Sequence, residues 1–194
     1  MDKKDIIEFF DVCASEWDSR MFRNEAVISK ILDHAKVEEG KDILDVACGT
    51  GVLFPDYIKR KVKSLTGIDI SPKMAEIAKN KFAGENISVV CGDVEEFSFD
   101  KQFDCIIVYN AFPHFPDPER LVEKLSTMVK KGGVVTVAHG MSRERLEKHH
   151  SGAAKNVSIG LIDEEKLSDI FKRYLKVTTK ISDDEMYQVA GIKE

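Results

Sequence analysis

ILDVACGTGVLF, residues 43–54, begins as a run of apolar residues, narrows to a turn holding Gly49 and Gly51, and continues into a second apolar stretch. A short β-branched run that ends at glycines predicts a buried strand, and the residues after the turn predict the start of a helix. Strand, glycine turn and helix are the opening unit of a doubly wound α/β domain, where ligands sit beyond the carboxyl ends of the strands. The two glycines let main chain approach a ligand with no Cβ in the way.

Working outward, the same alternation of apolar runs and helical patterns continues from residue 26. AVISKILDHAKV (26–37) places Val27, Ile28, Ile31, Leu32 and Ala35 on one helical face and His34 off it, toward solvent. Strands are predicted at 42–47, 64–70, 87–92, 103–110 and 132–139, each apolar enough to be covered on both faces. A helix over 71–82 takes Ser71 as N-cap and Pro72 as its first residue. Another over 118–131 stops at Gly132 and Gly133, and a third over 163–175 is capped at Asp163. The basic run KRKVK (59–63) falls at a helix end, where cations complement the dipole. KVTTKISD and EMYQVAGIK, separated by acidic residues, predict an antiparallel hairpin at the sheet edge. The expected fold is α/β, a doubly wound, mostly parallel seven-stranded sheet with an antiparallel C-terminal hairpin. It forms one domain over 1–194, with an N-terminal helical cap (1–25) and a substrate-covering segment (140–162).

Composition fits this architecture. The 194 residues are 43% hydrophobic and 32% charged, ordinary values for one globular domain. Twenty-nine Lys and Arg against 34 Asp and Glu give a net charge of −5, which disfavours a nucleic-acid partner. No run approaches the roughly 20 apolar residues of a membrane span, and the charged N-terminus does not read as a secretory signal. Cys13, Cys48, Cys91 and Cys105 show no CxxC spacing, and Cys91 and Cys105 fall in predicted buried strands. Reduced thiols in a soluble, cytoplasmic protein are expected, without a disulfide framework or a zinc ribbon.

The turn also restricts the ligand. A dinucleotide fingerprint has a third glycine where this chain has Phe54, and a P-loop needs Gly-Lys-Ser/Thr where this chain has Gly-Val-Leu. What remains is a nucleoside without a pyrophosphate. Asp69 ends the second strand, 18 residues after Gly51, where a carboxylate accepts from both hydroxyls of a ribose. Asp93, beside the apolar Val94, ends the third strand and is placed to accept from the exocyclic amine of a purine.

DVACGTG, GIDIS, GDVEEF, FDCIIVYNAFPHF and the GGVVTVAH strand together resemble the class I S-adenosylmethionine-dependent methyltransferases. Within that class the chain is most similar to the small enzymes of ubiquinone and menaquinone biosynthesis, over residues 5–190. The resemblance implies S-adenosylmethionine as cofactor. It implies that Asp45, Ala47, Cys48, Gly49 and Gly51 surround its methionine portion and that Asp69 holds the ribose. Ile70 and Met74 would flank the adenine, Asp93 would meet its amine and Val94 its ring edge, and Asn110 and Ala111 would lie beside the sulfonium. Position 47 is Ala where many members have Gly. The absence of lysine or arginine from the glycine turn suits a cationic donor.

The acceptor is less defined. Little sequence lies outside the core fold, which favours a small-molecule acceptor, its methylated atom O, N, S or C. NAFP (110–113) is similar to the Asn-Pro-Pro-aromatic motif of nucleic-acid amino methyltransferases but lacks its first proline. His139, His149 and His150 follow the fifth strand, where a histidine can deprotonate an acceptor before attack, although His149 and His150 also suit a helix end. With His114 they have no metal-ligand spacing, so no metal is expected. His114 and Phe115 are expected in the apolar rim. Trp17, the one tryptophan, serves either as core or as a stacking surface over the cofactor. The alternative function is a non-catalytic sensor or partner subunit that keeps the nucleoside pocket. The sequence does not set the oligomeric state.

Overall fold

The computed structural model describes residues 2–150 and 156–194, with side chains for all of these except 147–150. The N-terminal segment folds as α1 (Lys3–Cys13), a 3-10 turn (Ala14–Glu16) and α2 (Trp17–Arg20). Asp2 caps α1, its carboxylate accepting from the Lys4 N–H at 3.0 Å. The core alternates strand and helix through α3 (Glu25–His34), β1 (Asp42–Val46), α4 (Phe54–Lys59), β2 (Ser64–Asp69), α5 (Pro72–Lys81), β3 (Ile87–Cys91) and β4 (Phe103–Tyr109). It continues through α6 (Pro118–Met128), β5 (Val129–His139), α7 (Arg143–His150), α8 (Glu164–Phe171), β6 (Lys176–Ser182) and β7 (Tyr187–Ile192).

One seven-stranded sheet carries the order β3-β2-β1-β4-β5-β7-β6. β1 through β5 pair in parallel, and β7 enters antiparallel between β5 and β6. Successive strand residues point to opposite faces, so each strand feeds two cores. Leu44, Val46, Val108 and Val135 pack toward α6 and α8 with Leu121 and Phe171. Ile43, Cys105 and Ile107 pack toward α3 and α4 with Ile28, Leu32 and Tyr57. The chain runs outward from β1 to β3 and then crosses back to β4 on the other side of β1. The carboxyl ends of β1 and β4 therefore flank the point where strand order reverses, the place for a ligand in open α/β sheets.

The expected caps at Ser71 and Asp163 form, with Ser71 accepting from the Met74 N–H and Asp163 from the Lys166 N–H. Several expectations need correction. The helix expected over 118–131 ends at Met128, and β5 starts at Val129 because Val129 pairs with Phe103 across a register shift. Gly132 and Gly133 thus lie inside the strand. A Cβ at Gly133 would stand 2.7 Å from the Asp104 carbonyl, so glycine here permits a close strand approach rather than a helix stop. β3 is an edge strand with mixed exposure, not a strand covered on both faces, and Cys91 is exposed while Cys105 is buried. His34 is exposed as expected, yet its Nδ1 lies 2.8 Å from Oε1 of the buried Gln188 on β7, whose Nε2 donates to the Ile31 carbonyl at 3.1 Å. α3 and α8 are also shorter than their patterns suggest, α3 giving way to a left-handed Lys36 (φ 54°). No helix among the described residues is long and apolar enough to cross a membrane.

Candidate functional site

Backbone hydrogen bonds just past the strand ends fix the site. The Cys48 N–H donates to the Ile68 carbonyl (3.1 Å), Gly92 to Asp69 (2.8 Å) and Asn110 to Ala138 (2.9 Å). They gather the ends of β1, β2, β3 and β4 around one pocket, lined by Asp45, Ala47, Cys48, Gly49, Asp69, Ile70, Met74, Asp93, Val94, Asn110 and Ala111. Every site residue that the resemblance implied is in this lining except Gly51. A Cβ at Gly51 would lie 2.7 Å from Phe82 and 2.9 Å from Phe54, and its φ is 82°, so its glycine serves the packing of the turn onto the helices behind it. Gly49 does face the pocket, at φ 57°. Ala47 (φ 53°) and Asn110 (φ 53°) hold the same left-handed conformation, which costs alanine more than glycine or asparagine.

Asp69 is buried, and its two oxygens accept from the Gly49 N–H at 2.8 Å and the Ser71 N–H at 2.9 Å. Burial raises its pKa to about 6 against the pull of those amides. Asp45 is wholly buried, and burial, then the charge of Asp69, push its carboxyl well above the usual range. Cys48 is pushed up in the same way, and burial takes Tyr109 to about 12. Asp93 accepts from the Glu95 N–H at 2.9 Å and pairs with the Lys3 ammonium, which also lies 3.6 Å from Glu95.

The N-terminal segment crosses the pocket. Lys3, Ile6, Phe10, Trp17 and Met21 also line it, with Trp17 edge-on to Phe10 at 5.6 Å. A Cβ on Gly49 would come within 3.9 Å of Trp17 Nε1, so the indole stands over the glycine turn. Ile6 and Phe10, one turn apart on α1, are not among the expected site residues, although an i, i+4 apolar pair in a charged segment is a readable docking stripe.

His114 lies in the lining, in the 3-10 turn Phe112–His114 after β4. The histidines expected at the rim divide differently. His139 is fully buried beside Tyr187 of β7, ring centroids 6.1 Å apart, and is not among the pocket's lining residues. This corrects its expected place at the rim: Val135, Val137 and His139 share the strand face turned toward α6 and α8. The side chains of His149 and His150 lie outside the described residues. Of the described residues in the segment expected to cover substrate, Val157 accepts from His114, and the Ile159 N–H donates to the Pro113 carbonyl at 2.9 Å.

Residues 43–133 match a family described as "Methyltransferase domain". Over 141 residues the chain is 29% identical to the ubiquinone biosynthesis O-methyltransferase of Coxiella burnetii, covering 69% of this chain and 60% of that enzyme. Over 138 residues it is 32% identical to the malonyl-[acyl-carrier protein] O-methyltransferase of Acetivibrio thermocellus, covering 70% and 49%. The chain thus spans about half to three-fifths of the length of these relatives. Among solved structures it resembles in fold the magnesium protoporphyrin IX methyltransferase of Synechocystis with bound SAH (TM-score 0.74, 15% identity, the whole of both chains covered).

Proposed function

We propose that this chain, whose core is a class I S-adenosylmethionine-dependent methyltransferase domain, transfers the methyl group of S-adenosylmethionine to a hydroxyl of a small, apolar molecule. The observation that carries the reading is Phe54. It stands where a dinucleotide fingerprint has its third glycine, is fully buried, and fills the space that Cβ atoms at Gly51 and Gly67 would need. The turn thereby lacks the helix–strand packing of a dinucleotide fingerprint, while three carboxyl groups remain at the ends of β1, β2 and β3 for a nucleoside joined to an amino acid.

In this reading Asp69 accepts from the ribose hydroxyls, Asp93 from the adenine amine, and Val94, Ile70 and Met74 enclose the ring. Asp45, Ala47, Cys48 and Gly49 receive the amino-acid portion, and Asn110 and Ala111 stand beside the sulfonium. The cofactor supplies an activated methyl group; the chain supplies alignment and the exclusion of water, the latter through Ile6, Phe10 and Trp17. Support for an oxygen acceptor comes from the O-methyltransferase names of both relatives, and for an apolar one from the rings of Phe10, Trp17 and Phe115 in the walls. Buried free thiols at Cys48 and Cys105 suit the cytoplasm.

Calorimetry with S-adenosylhomocysteine tests the cofactor. Asp69→Ala is expected to weaken binding by about 1–3 kcal/mol through lost charge-assisted hydrogen bonds. Unchanged affinity removes Asp69 from the ribose, and absence of any binding heat by the wild type ends the reading. A non-catalytic sensor would bind the cofactor and give no labelled product with methyl-labelled cofactor and cell extract.

A further inference from the structure

In the cofactor reading Asp93 takes the adenine amine, yet both of its oxygens already have partners in the protein. One accepts from the Glu95 N–H at 2.9 Å, and the other is bonded by the ammonium of Lys3. An ammonium and a purine amine are both donors, so Lys3 and the adenine compete for the same carboxylate oxygen.

Lys3 has a second carboxylate within reach. Its ammonium is 3.6 Å from Oε2 of Glu95 and 3.9 Å from Oε1 of Glu96. Glu96 is exposed and is bonded by Arg120. Glu95 differs: its side chain is 4% exposed and lines the pocket, and its Oε1 accepts no hydrogen bond among the described residues, with Arg120 Nε 3.4 Å away. A buried carboxylate short of hydrogen bonds is costly, and a cation that moves onto it relieves part of that cost. A shift of about 1 Å brings the Lys3 ammonium into hydrogen-bond range of Oε2. Lys3 is also tied to the cover of the pocket. It opens α1, and Lys3, Ile6 and Phe10 recur at i, i+3 and i+7 on one helical face, all three lining the pocket.

We propose that Lys3 is a positioning residue for the adenine: the purine amine takes its place on Asp93, the ammonium passes to Glu95, and α1 stays docked by an ion pair before and after the exchange. Asp93 keeps a donor throughout, and the Glu95 carboxylate gains a direct hydrogen bond. Glu95 thereby helps to set cofactor affinity through Lys3, without touching the cofactor. This inference rests on the S-adenosylmethionine reading, with Asp93 at the adenine amine.

A crystal structure of the complex with S-adenosylhomocysteine tests it directly. The adenine amine is expected within hydrogen-bond distance of Asp93, and Lys3 Nζ within that distance of Glu95 and off Asp93. Lys3 still bonded to Asp93, or turned out to solvent, overturns the exchange. Calorimetry with S-adenosylhomocysteine gives a second test. Glu95→Gln is expected to weaken binding by about fivefold to tenfold; added to Lys3→Met, the same substitution is expected to change affinity by less than about twofold, because no cation remains to be received. Equal losses in both backgrounds would make the role of Glu95 merely structural and refute the proposal, and so would Glu95→Gln binding like wild type. A wild type that gives no binding heat refutes the cofactor reading itself, whereas a bound cofactor with its adenine away from Asp93 refutes the exchange and leaves the cofactor standing.

Discussion

At the scale of single residues, Asp69 ties the site to pH. Its folded pKa of about 6 lies above the unfolded value of about 3.8, so its contribution to the stability of the ligand-free protein is fully present below about pH 4 and lost as pH rises through about 6. Ligand binding runs the other way, because ribose hydroxyls donate to the ionised carboxylate. Affinity for S-adenosylhomocysteine should therefore be level above about pH 6 and fall by up to about tenfold per pH unit below it. Titration calorimetry from pH 5 to pH 8 checks this, and Asp69→Asn should bind weakly with a flat profile. A wild-type affinity independent of pH would show that Asp69 is already ionised without ligand. The identity of Asp69 and Asp93 as strand-end carboxyls was readable in the sequence. The division of labour between Gly49 and Gly51 was not, because it depends on Phe82 and Phe54 arriving from two later helices.

At the scale of elements, the N-terminal segment lies over the pocket through contacts that the sequence does not display. Its helices were readable, but not what holds them: the partners come from residues 50 to 114. Lys3 reaches Asp93. Asp11 accepts from Ser71 Oγ at 2.5 Å and from the Lys73 N–H at 3.1 Å, and Asp18 accepts from Thr50 Oγ1 at 2.5 Å and pairs with Lys81 at 2.7 Å. These contacts lie at the rim and are partly exposed, so each contributes on the order of 0.2–1 kcal/mol. Asp18→Ala should raise the dissociation rate of S-adenosylhomocysteine by about fivefold or less, with little effect on association, as followed by the fluorescence of Trp17. Equal dissociation rates in variant and wild type would mean that the segment does not close on the ligand. Edge position explains the other element-level differences. β3 keeps an apolar sequence though only one strand flanks it, whereas β6 shows its edge in the alternation of Lys176, Thr178 and Lys180 with Val177, Thr179 and Ile181.

At the scale of the whole molecule, the parallel sheet was legible from its apolar runs, while the strand order was not, since order depends on pairings between distant segments. The order separates the two ends of the sheet by task. The carboxyl ends carry the pocket, and the amino ends are tied by a charge network. Lys130 of β5 bonds Asp42 of β1 at 2.8 Å and Asp104 of β4 at 2.9 Å, Asp42 also accepts from Ser64 Oγ of β2 at 2.7 Å, and Asp104 accepts from the Asp42 N–H at 2.8 Å. The bond from Lys130, then that from Ser64, lowers the Asp42 pKa to about 2. A carboxyl depressed below its unfolded value of about 3.8 contributes stability above that pH and loses it as pH falls toward 2. Lys130→Met should therefore lower unfolding stability at pH 7 by about 1–2 kcal/mol, allowing for screening at the partly exposed ammonium. The difference between variant and wild type in urea denaturation should narrow as pH drops below about 4, where protonated Asp42 no longer needs the cation. Because the network lies at the far end of the strands from Asp69, affinity for S-adenosylhomocysteine at pH 7 should be the same in both. A gap that stays constant down to pH 3 would place the effect in the packing of the Lys130 stem, and a change in affinity would show that the two ends of the sheet are coupled.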